Sequence, residues 1–199
     1  MLTSPNENTL ATNTILKRGF KSKAEKLAID YREKLGIQVW SPMCAFKLAK
    51  YLNVAVYNAI DILPNSNELQ MLCGEIGKVS EWSALTMVTE KQNKIIIHNP
   101  YHTSERQKSN VMHELAHIIC EHKRSYDDYN FNIPFGMRIF DKEQEEEANC
   151  LGSTLQIAKP GLFWAKKRNL TYEQIALHFN ASVEMVKYRM SISGVSKIG

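Results

Sequence analysis

Apolar residues with helical spacing mark the first regular element of the chain. In the segment 22–36, SKAEKLAIDYREKLG, they recur at intervals of three and four positions, which predicts an amphipathic helix. Ser22 and Glu25 have the spacing of a capping box, and Gly36 is placed to end the helix. The apolar stripe consists of Ala24, Leu27, Ala28, Tyr31 and Leu35.

A second helix, a strand and a third helix are predicted next. The segment 41–53, SPMCAFKLAKYLN, has Ser41 as a candidate N-cap and Pro42 at the first helical position. The following VAVYNAI has the composition of a short strand. A short helix is expected at about 67–72.

Two β-rich runs precede the most distinctive part of the chain. The segments 83–90, SALTMVTE, and 93–99, NKIIIHN, are separated by polar residues and predict an antiparallel pair. The first of these strands is expected at a sheet edge. A helix should then begin at Ser104, with Gln107 as its capping-box partner, and extend to about His122.

The remainder of the chain is predicted to be helical. An acidic helix should start near Asp141, and Pro160 limits its length. Beyond it, the helical segments 172–179 and 183–190 flank the turn Asn-Ala-Ser, an arrangement typical of a helix-turn-helix. Three residues fit that motif: Ala176 at the close-packed position, Asn180 at the positive-φ position and Val186 facing back.

Composition narrows the class of protein. With 199 residues, of which 44% are hydrophobic, the chain can bury its own core, most simply as one domain with a small appendage. It has no run of eighteen apolar residues, and its polar start lacks the apolar part of a signal peptide, so we expect a cytoplasmic protein with no membrane association. The net charge of +4 permits a nucleic-acid partner without favouring one. Four widely spaced cysteines predict reduced, buried thiols: Cys44, Cys73, Cys120 and Cys150.

The segment NVMHELAHIICEH, residues 110–122, carries the pattern H-E-x-x-H. On a helix, residues four apart share a face, so His113 and His117 can present their rings to one cation. Glu114 lies about 100° around the helix from His113, within reach of a metal-associated water without having to bind the metal. The pattern predicts a zinc site with Glu114 as the catalytic carboxylate.

Catalytic zinc takes three protein ligands and leaves the fourth position for water. The acidic helix supplies candidates for the third ligand, and its register is set by the apolar stripe of Ala148, Leu151 and Leu155. Glu145 is the first choice and Glu147 the second. A His/His/carboxylate set also suits manganese and iron, but the H-E-x-x-H spacing favours zinc.

The sequence does not assign a single role to each histidine outside the motif. His122 is expected to interact with the carbonyls at the end of the motif helix. His98 and His102 precede that helix, and either could line the cleft. A stabiliser of the tetrahedral oxyanion is needed, and His98, His102 and Tyr126 are the candidates, with no choice among them.

Four stretches together resemble the ImmA/IrrE family of zinc metallo-endopeptidases. They are GFKSKAEKLAIDYREKLGI, SALTMV with KIIIHNP, ERQKSNVMHELAHIICEH, and EQEEEANCLGSTL. The C-terminal TYEQIALHFNASVEMVKYRMSISGV is similar to the tail of many members. The resemblance extends from Gly19 to Val195. One departure is LQIAKP at 155–160, where many relatives have an apolar segment ending Leu-Leu-Met-Pro, and it bears on substrate fit more than on metal binding.

The resemblance implies an α+β fold. A gluzincin-like, zincin-type metalloprotease domain, with a small antiparallel sheet packed on helices, would occupy residues 19–160. A flexible arm, 1–18, would precede it, and a small helix-turn-helix-like region, 161–199, would follow it.

The resemblance also implies a site and a function. The zinc ligands would be His113, His117 and Glu145, the last from the family pattern E-x-x-A-[ND], and Glu114 would occupy the catalytic position. Family members cleave or otherwise inactivate a helix-turn-helix repressor, which implies derepression of a mobile-element or stress regulon.

The edge strand is a candidate substrate site. A peptide must be extended before its scissile bond can reach a metal, and an exposed strand can hold it as an additional strand. The residues concerned are Ser83, Ala84, Leu85 and Thr86.

Two other functions compete with proteolysis. A DNA-binding regulator would use the segment 183–190, which offers Lys187, Tyr188 and Arg189 but also Glu184, and lacks an Asn or Gln to contact adenine. A protein that sequesters a repressor without cutting it would keep its function after loss of Glu114.

Overall fold

The structure is a computed structural model, and it describes residues 16–63, 65–75, 78–89, 91–122 and 141–197. The predicted flexible arm therefore lies almost entirely outside the described residues. The strands are β1 Ala55–Asn58, β2 Gly74–Glu75, β3 Lys78–Val79, β4 Ala84–Val88 and β5 Lys94–His98. The helices are α1 Phe20–Lys34, α2 Ala45–Tyr51, α3 Ala59–Ile62, α4 Ser66–Cys73, α5 Ser104–Ile119, α6 Lys142–Gln156, α7 Lys159–Lys167, α8 Tyr172–Phe179 and α9 Val183–Ser193.

The fold is mixed α+β, as predicted. Strand β5 is the centre of a three-stranded sheet, antiparallel to β4 and parallel to β1, and β4 lies at the edge. The predicted antiparallel pair is confirmed, with Thr86 opposite Ile96 and Ala84 opposite His98. One sheet face, which includes Ile96, packs on α1, α2, α5 and α6, whereas Ile97 on the other face joins a small cluster with α3 and α4.

The predicted start signals of α1 and α2 were wrong. Helix α1 begins at Phe20, before Ser22, and its N-cap is Gly19, which has no side chain to cap the helix. Glu25 is occupied elsewhere, because its Oε2 accepts a hydrogen bond from the backbone of Lys159, 2.9 Å away. Helix α2 begins after Cys44, since the segment 41–44 stays outside the helix and buries Met43 in the core.

Helices α5 and α6 make the most extensive helix contact among the described residues. The N-cap of α5 is Thr103 rather than Ser104, and Gln107 donates to the carbonyls of Pro100 and His102 instead of capping. Helix α6 starts as predicted, with Asp141 capping it.

Gly152 sets the close approach of α5 and α6. A Cβ at this position would lie 3.3 Å from His113 Cα and 3.3 Å from Met112 O. Those distances are tight for carbon, so a side chain here would push the two backbones apart. The glycine therefore determines how near α6 lies to the histidine-bearing helix.

Helices α7, α8 and α9 form their own apolar cluster around Phe179. Both predicted C-terminal helices are present, and Asn180 between them has φ of 53°. Ala176 and Val186 are buried at their interface, as the sequence pattern requires. Pro160 lies in the first turn of α7, beyond the end of α6 at Gln156.

Two buried arginines bind the carbonyls at the C-terminal end of α6. Arg32 donates to the carbonyls of Leu155, at 2.8 Å, and of Gln156, at 3.1 Å. Arg189 donates to the carbonyl of Ile157 at 2.8 Å. Burial lowers the pKa of Arg32 to about 10, so it remains charged at neutral pH.

Arg189 also joins the C-terminal helices to α1. Its Nη2 lies 2.6 Å from Glu25 Oε1, and the other oxygen of Glu25 binds the first turn of α7. Helices α1, α6, α7 and α9 therefore share one polar network at the end of α6.

The four cysteines are free thiols, with Cys73 and Cys150 buried and the other two half-buried. Among the described residues, no helix combines the length and the apolar character needed to cross a membrane.

Candidate metal centre

Helix α5 presents His113 and His117 one turn apart, and α6 brings Glu145 to them from the opposite side. His113 Nε2 lies 3.1 Å from His117 Nε2 and 3.1 Å from Glu145 Oε2. His117 Nε2 lies 3.4 Å from Glu145 Oε1. Three ligand-type atoms thus converge on one point between the two helices.

This arrangement fits a tetrahedral cation. Ligand atoms at about 2.0–2.1 Å from zinc lie roughly 3.3 Å apart, close to the three separations found. Two imidazole nitrogens facing each other at 3.1 Å can share only one proton, whereas both can donate lone pairs to a cation between them. The donor set of two imidazoles and one carboxylate is typical of catalytic zinc.

Glu145 is ionised at neutral pH. Hydrogen bonds from His113 and His117 hold the pKa of its carboxyl well below the usual range, against the opposing effect of partial burial. A metal ligand must be deprotonated, so Glu145 is already in the form that binds.

Glu114 lies between α5 and the edge strand. Its side chain is buried, with 4% of its surface exposed, and its Oε2 accepts a hydrogen bond of 2.5 Å from Thr86 Oγ1. Thr86 was predicted as part of a substrate strand, but its side chain faces inward to the carboxylate. Nothing in the local sequence marks this contact, because it depends on how β4 packs against α5.

A cleft of about 400 Å³ opens at the metal centre. Its walls come from β4 and the residues before it, from α5 and from α6. The residues are Trp82, Ser83, Ala84, Leu85, Asn110, His113, Glu114 and Glu145. The cleft is therefore lined by two of the three candidate ligands, His113 and Glu145, by the candidate catalytic carboxylate and by most of the predicted substrate strand, and the third ligand, His117, is buried behind His113.

Of the candidate oxyanion stabilisers, His98 and His102 are not among the described residues that line the cleft. His102 is buried, and its Nε2 lies 3.1 Å from the Ser80 carbonyl, so that nitrogen carries the proton. His102 Nδ1 then accepts from Asn110 Nδ2 at 3.0 Å. His98 is buried beside Phe46, and Tyr126 lies outside the described residues.

Asn110 is the polar cleft residue that sequence reasoning missed. It lies three positions before His113 on α5, and therefore on the same face of the helix. The sequence did contain a signal for Asn110, because a residue three positions before the first histidine lies on the same face of the helix as that histidine.

Glu147, the second choice for third ligand, is directed to a different partner. Its Oε2 lies 3.0 Å from His122 Nε2, and His122 Nδ1 lies 2.9 Å from His117 Nδ1. The expected interaction of the His122 ring with helix-end carbonyls was wrong, because the chain turns after α5 and directs the ring to His117 and Glu147.

Cys120 completes a second group of ligand-type residues with His122 and Glu147. Burial, and next Glu147, raise the pKa of the Cys120 thiol to about 11, which keeps it protonated at neutral pH.

Two of the three candidate DNA-contacting side chains on α9 are directed to the protein interior. Arg189 is 1% exposed and bound to Glu25 and Ile157. Tyr188 is partly buried, and burial raises its pKa to about 12. Lys187 is the exposed member of this set.

No curated protein and no solved structure matches this chain. A family model does: the IrrE N-terminal-like domain of the M78 peptidases matches residues 77–191, which is more than half of the chain. The match includes β4, β5, both metal-centre helices and the C-terminal helices. With two histidines and a glutamate converging beside a buried catalytic-type carboxylate, the chain belongs to the M78 peptidase family, whose members are metal-dependent peptidases.

Proposed function

We propose that the protein is a zinc-dependent endopeptidase that cleaves a helix-turn-helix transcriptional repressor in the cytoplasm. The observation that carries the proposal is the convergence of His113, His117 and Glu145 at a cleft that is lined by Glu114 and an edge strand. The choice of a repressor rests on the sequence resemblance to the ImmA/IrrE family. The expected outcome of cleavage is derepression of the genes that the repressor controls.

Five residues of the metal centre have defined tasks in this reaction. His113, His117 and Glu145 would hold the metal, which when bound supplies electrophilic polarisation of the scissile carbonyl and of the attacking water. Glu114 accepts the proton of that water and delivers it to the nitrogen of the leaving amine. Thr86 fixes the Glu114 carboxylate through its hydroxyl.

The cleft walls favour an extended peptide as substrate. Residues 82–85 form one wall, and β4 pairs with β5 along one side only within the described sheet. A peptide added beside β4 would have its backbone held by main-chain hydrogen bonds and would pass the metal centre. Asn110 lies where its amide can bind a peptide group of such a substrate.

Metal stoichiometry and cleavage together test the proposal. Mass spectrometry of the purified full chain should find about one zinc per chain in wild type and in Glu114→Gln. His117→Ala and Glu145→Ala should lose it, while His178→Ala, a histidine stacked on Trp164 away from the site, serves as the matched control. Absence of metal after zinc is supplied would overturn the proposal.

The cleavage assay then uses repressors encoded near the gene, with zinc-loaded protein. Wild type should cut one of them, and Glu114→Gln should be slower by about 10² to 10⁴. Derepression in cells that persists with Glu114→Gln would instead favour a protein that sequesters its repressor without cutting it.

A further inference from the structure

A line of side chains leads away from the metal centre behind His117. His117 Nδ1, on the side of the ring opposite the centre, lies 2.9 Å from His122 Nδ1. His122 Nε2 then lies 3.0 Å from Glu147 Oε2. His122 and Glu147 have side chains only 7% and 10% exposed, so water competes little for these bonds.

The proton positions in this line of side chains follow from the role of His117 Nε2. If His117 Nε2 donates its lone pair to a metal, the ring proton must sit on Nδ1. That N–H then donates to His122 Nδ1, which leaves the proton of His122 on Nε2, where it donates to the Glu147 carboxylate. Each of the three groups thus has one defined protonation state, and all three are compatible.

We propose that His122 and Glu147 are positioning residues that hold His117 in its metal-binding tautomer and orientation. The inference rests on the assignment of His117 as a ligand in the proposed function. Such partners fix the ring of a ligating histidine and raise its basicity, and their removal costs about 10–100-fold in metal affinity. The line is built from two separate elements, because His122 follows α5 and Glu147 lies on α6.

The same geometry argues against a second metal ion at Cys120, His122 and Glu147. A cation on His122 Nε2 would move the His122 proton to Nδ1, which would then donate to His117 Nδ1. His117 would have to carry its own proton on Nε2, the nitrogen that faces Glu145. Occupation of that group would therefore oppose metal binding at the cleft.

Zinc affinity of the metal-free full chain, measured by competition with a chromophoric chelator, tests the inference. His122→Ala and Glu147→Ala should each weaken affinity by about 10–100-fold. The double variant should be no weaker than His122→Ala, because Glu147 acts through His122. Cys120→Ala, which removes a neighbouring half-buried side chain outside the line, should stay within about twofold of wild type.

Rescue separates positioning from simple packing. In His122→Asn the amide oxygen can take the place of Nδ1 and accept from His117, although the link to Glu147 is lost. This variant should bind zinc more tightly than His122→Ala. Equal affinity of the Ala and Asn variants, or unchanged affinity of all variants, would overturn the inference.

Cobalt spectra identify the directly bound ligands. The visible bands of the cobalt-loaded protein should keep their shape in His122→Ala, because the bound atoms do not change. A thiolate-to-cobalt band that disappears in Cys120→Ala would show metal at Cys120 and would also overturn the inference. Full zinc retention by His117→Ala would instead refute the proposed ligand set, so the two failures are distinguishable.

Discussion

Glu114 is a buried carboxylate at the edge of the cleft, and a side chain of the neighbouring strand holds it in position. It is nearly inaccessible to bulk water, and the hydroxyl of Thr86 donates to its Oε2. A hydrogen bond to a charged group contributes about 1.5–3 kcal/mol, more than a neutral one. Thr86 on β4 thereby orients the carboxylate of Glu114 on α5.

Replacing Thr86 with Val should lower kcat by about tenfold or more while zinc content stays at wild-type level, because the donor to Glu114 is lost and the ligands are untouched. Steady-state kinetics with a cleavable peptide and metal analysis of the same sample would measure both effects. Thr86→Ser is the matched control, since it keeps the hydroxyl, and its kcat should lie near that of wild type. Similar kcat values for Val and Ser would contradict the assigned contact.

His98 should make stability depend on pH. Burial lowers its pKa below the ordinary histidine value of about 6.5, so the folded protein holds it neutral while the unfolded chain takes up a proton below about that pH. The unfolded state then binds more protons, and the free energy of unfolding falls as the pH drops below about 6.5.

Urea denaturation at pH 7.5 and 5.5, with chelator present to remove metal effects, should show a smaller pH-dependent loss of stability for His98→Gln than for wild type. The difference should be no larger than about 1.4 kcal/mol, the linkage of one proton over the one pH unit between 6.5 and 5.5. His178→Gln is a suitable control, because that ring stacks on Trp164 at the surface of the C-terminal helices. Parallel pH profiles for wild type and His98→Gln would refute the linkage.

Among the elements, α6 has a polar attachment at one end and the metal centre at the other. Arg32 and Arg189 bind its last carbonyls, which also places two positive charges at the negative end of the helix dipole. Glu145 lies in its first turn. The C-terminal helices thus contribute to holding the helix that carries the third candidate ligand.

Arg189→Ala should destabilise the protein by about 3 kcal/mol or more, because it leaves Glu25 and the Ile157 carbonyl without their buried partner. The comparison is Lys187→Ala, an exposed residue on the same helix, which should change stability by no more than about 0.5 kcal/mol. Chemical denaturation of both variants measures the difference. Equal stabilities would mean that the network at the end of α6 is not a major contributor.

Local patterns predicted the elements better than their caps. The β4–β5 pair, α6 and the two C-terminal helices follow from alternation, helical spacing and, for α6, the Asp141 cap, all of which act over a few residues. The capping role of Glu25 failed because Lys159 and Arg189 bind its carboxylate oxygens, and that of Gln107 failed because its amide nitrogen donates to the carbonyls of Pro100 and His102. A sequence does not show which of two bonds a carboxylate or an amide will make.

The same distinction applies to the site. The convergence of His113 and His117 follows from the helix period, and the register of the acidic helix places Glu145 ahead of Glu147 as their neighbour. The contact between Thr86 and Glu114 and the line through His122 could not be predicted, since each joins elements whose packing is not encoded in local spacing.

For the whole molecule, metal binding should couple to folding. The proposed ligands come from α5 and α6 alone, and these helices form the centre of the main core. Zinc that binds only the folded state at 100 times its Kd would add about 2.7 kcal/mol to the free energy of unfolding. In a chain of this size that corresponds to a rise in Tm of about 5–10 °C.

Differential scanning calorimetry with and without zinc should show this rise for wild type and not for His117→Ala. Glu114→Gln should keep it, because Glu114 is not a proposed ligand. A rise of equal size in His117→Ala would mean that zinc binds elsewhere on the fold.

At Gly152, the residue that a helix prefers differs from the residue that the metal centre needs. An alanine in a helix interior is favoured over glycine by about 1 kcal/mol, so Gly152→Ala is an obvious choice for anyone seeking a more heat-resistant variant. Here the added methyl group would press on the backbone that carries His113 and move α6, with Glu145, away from it. Helix preference is therefore no guide to substitution at this position, and residue 152 should be held fixed in any library that selects for thermal tolerance.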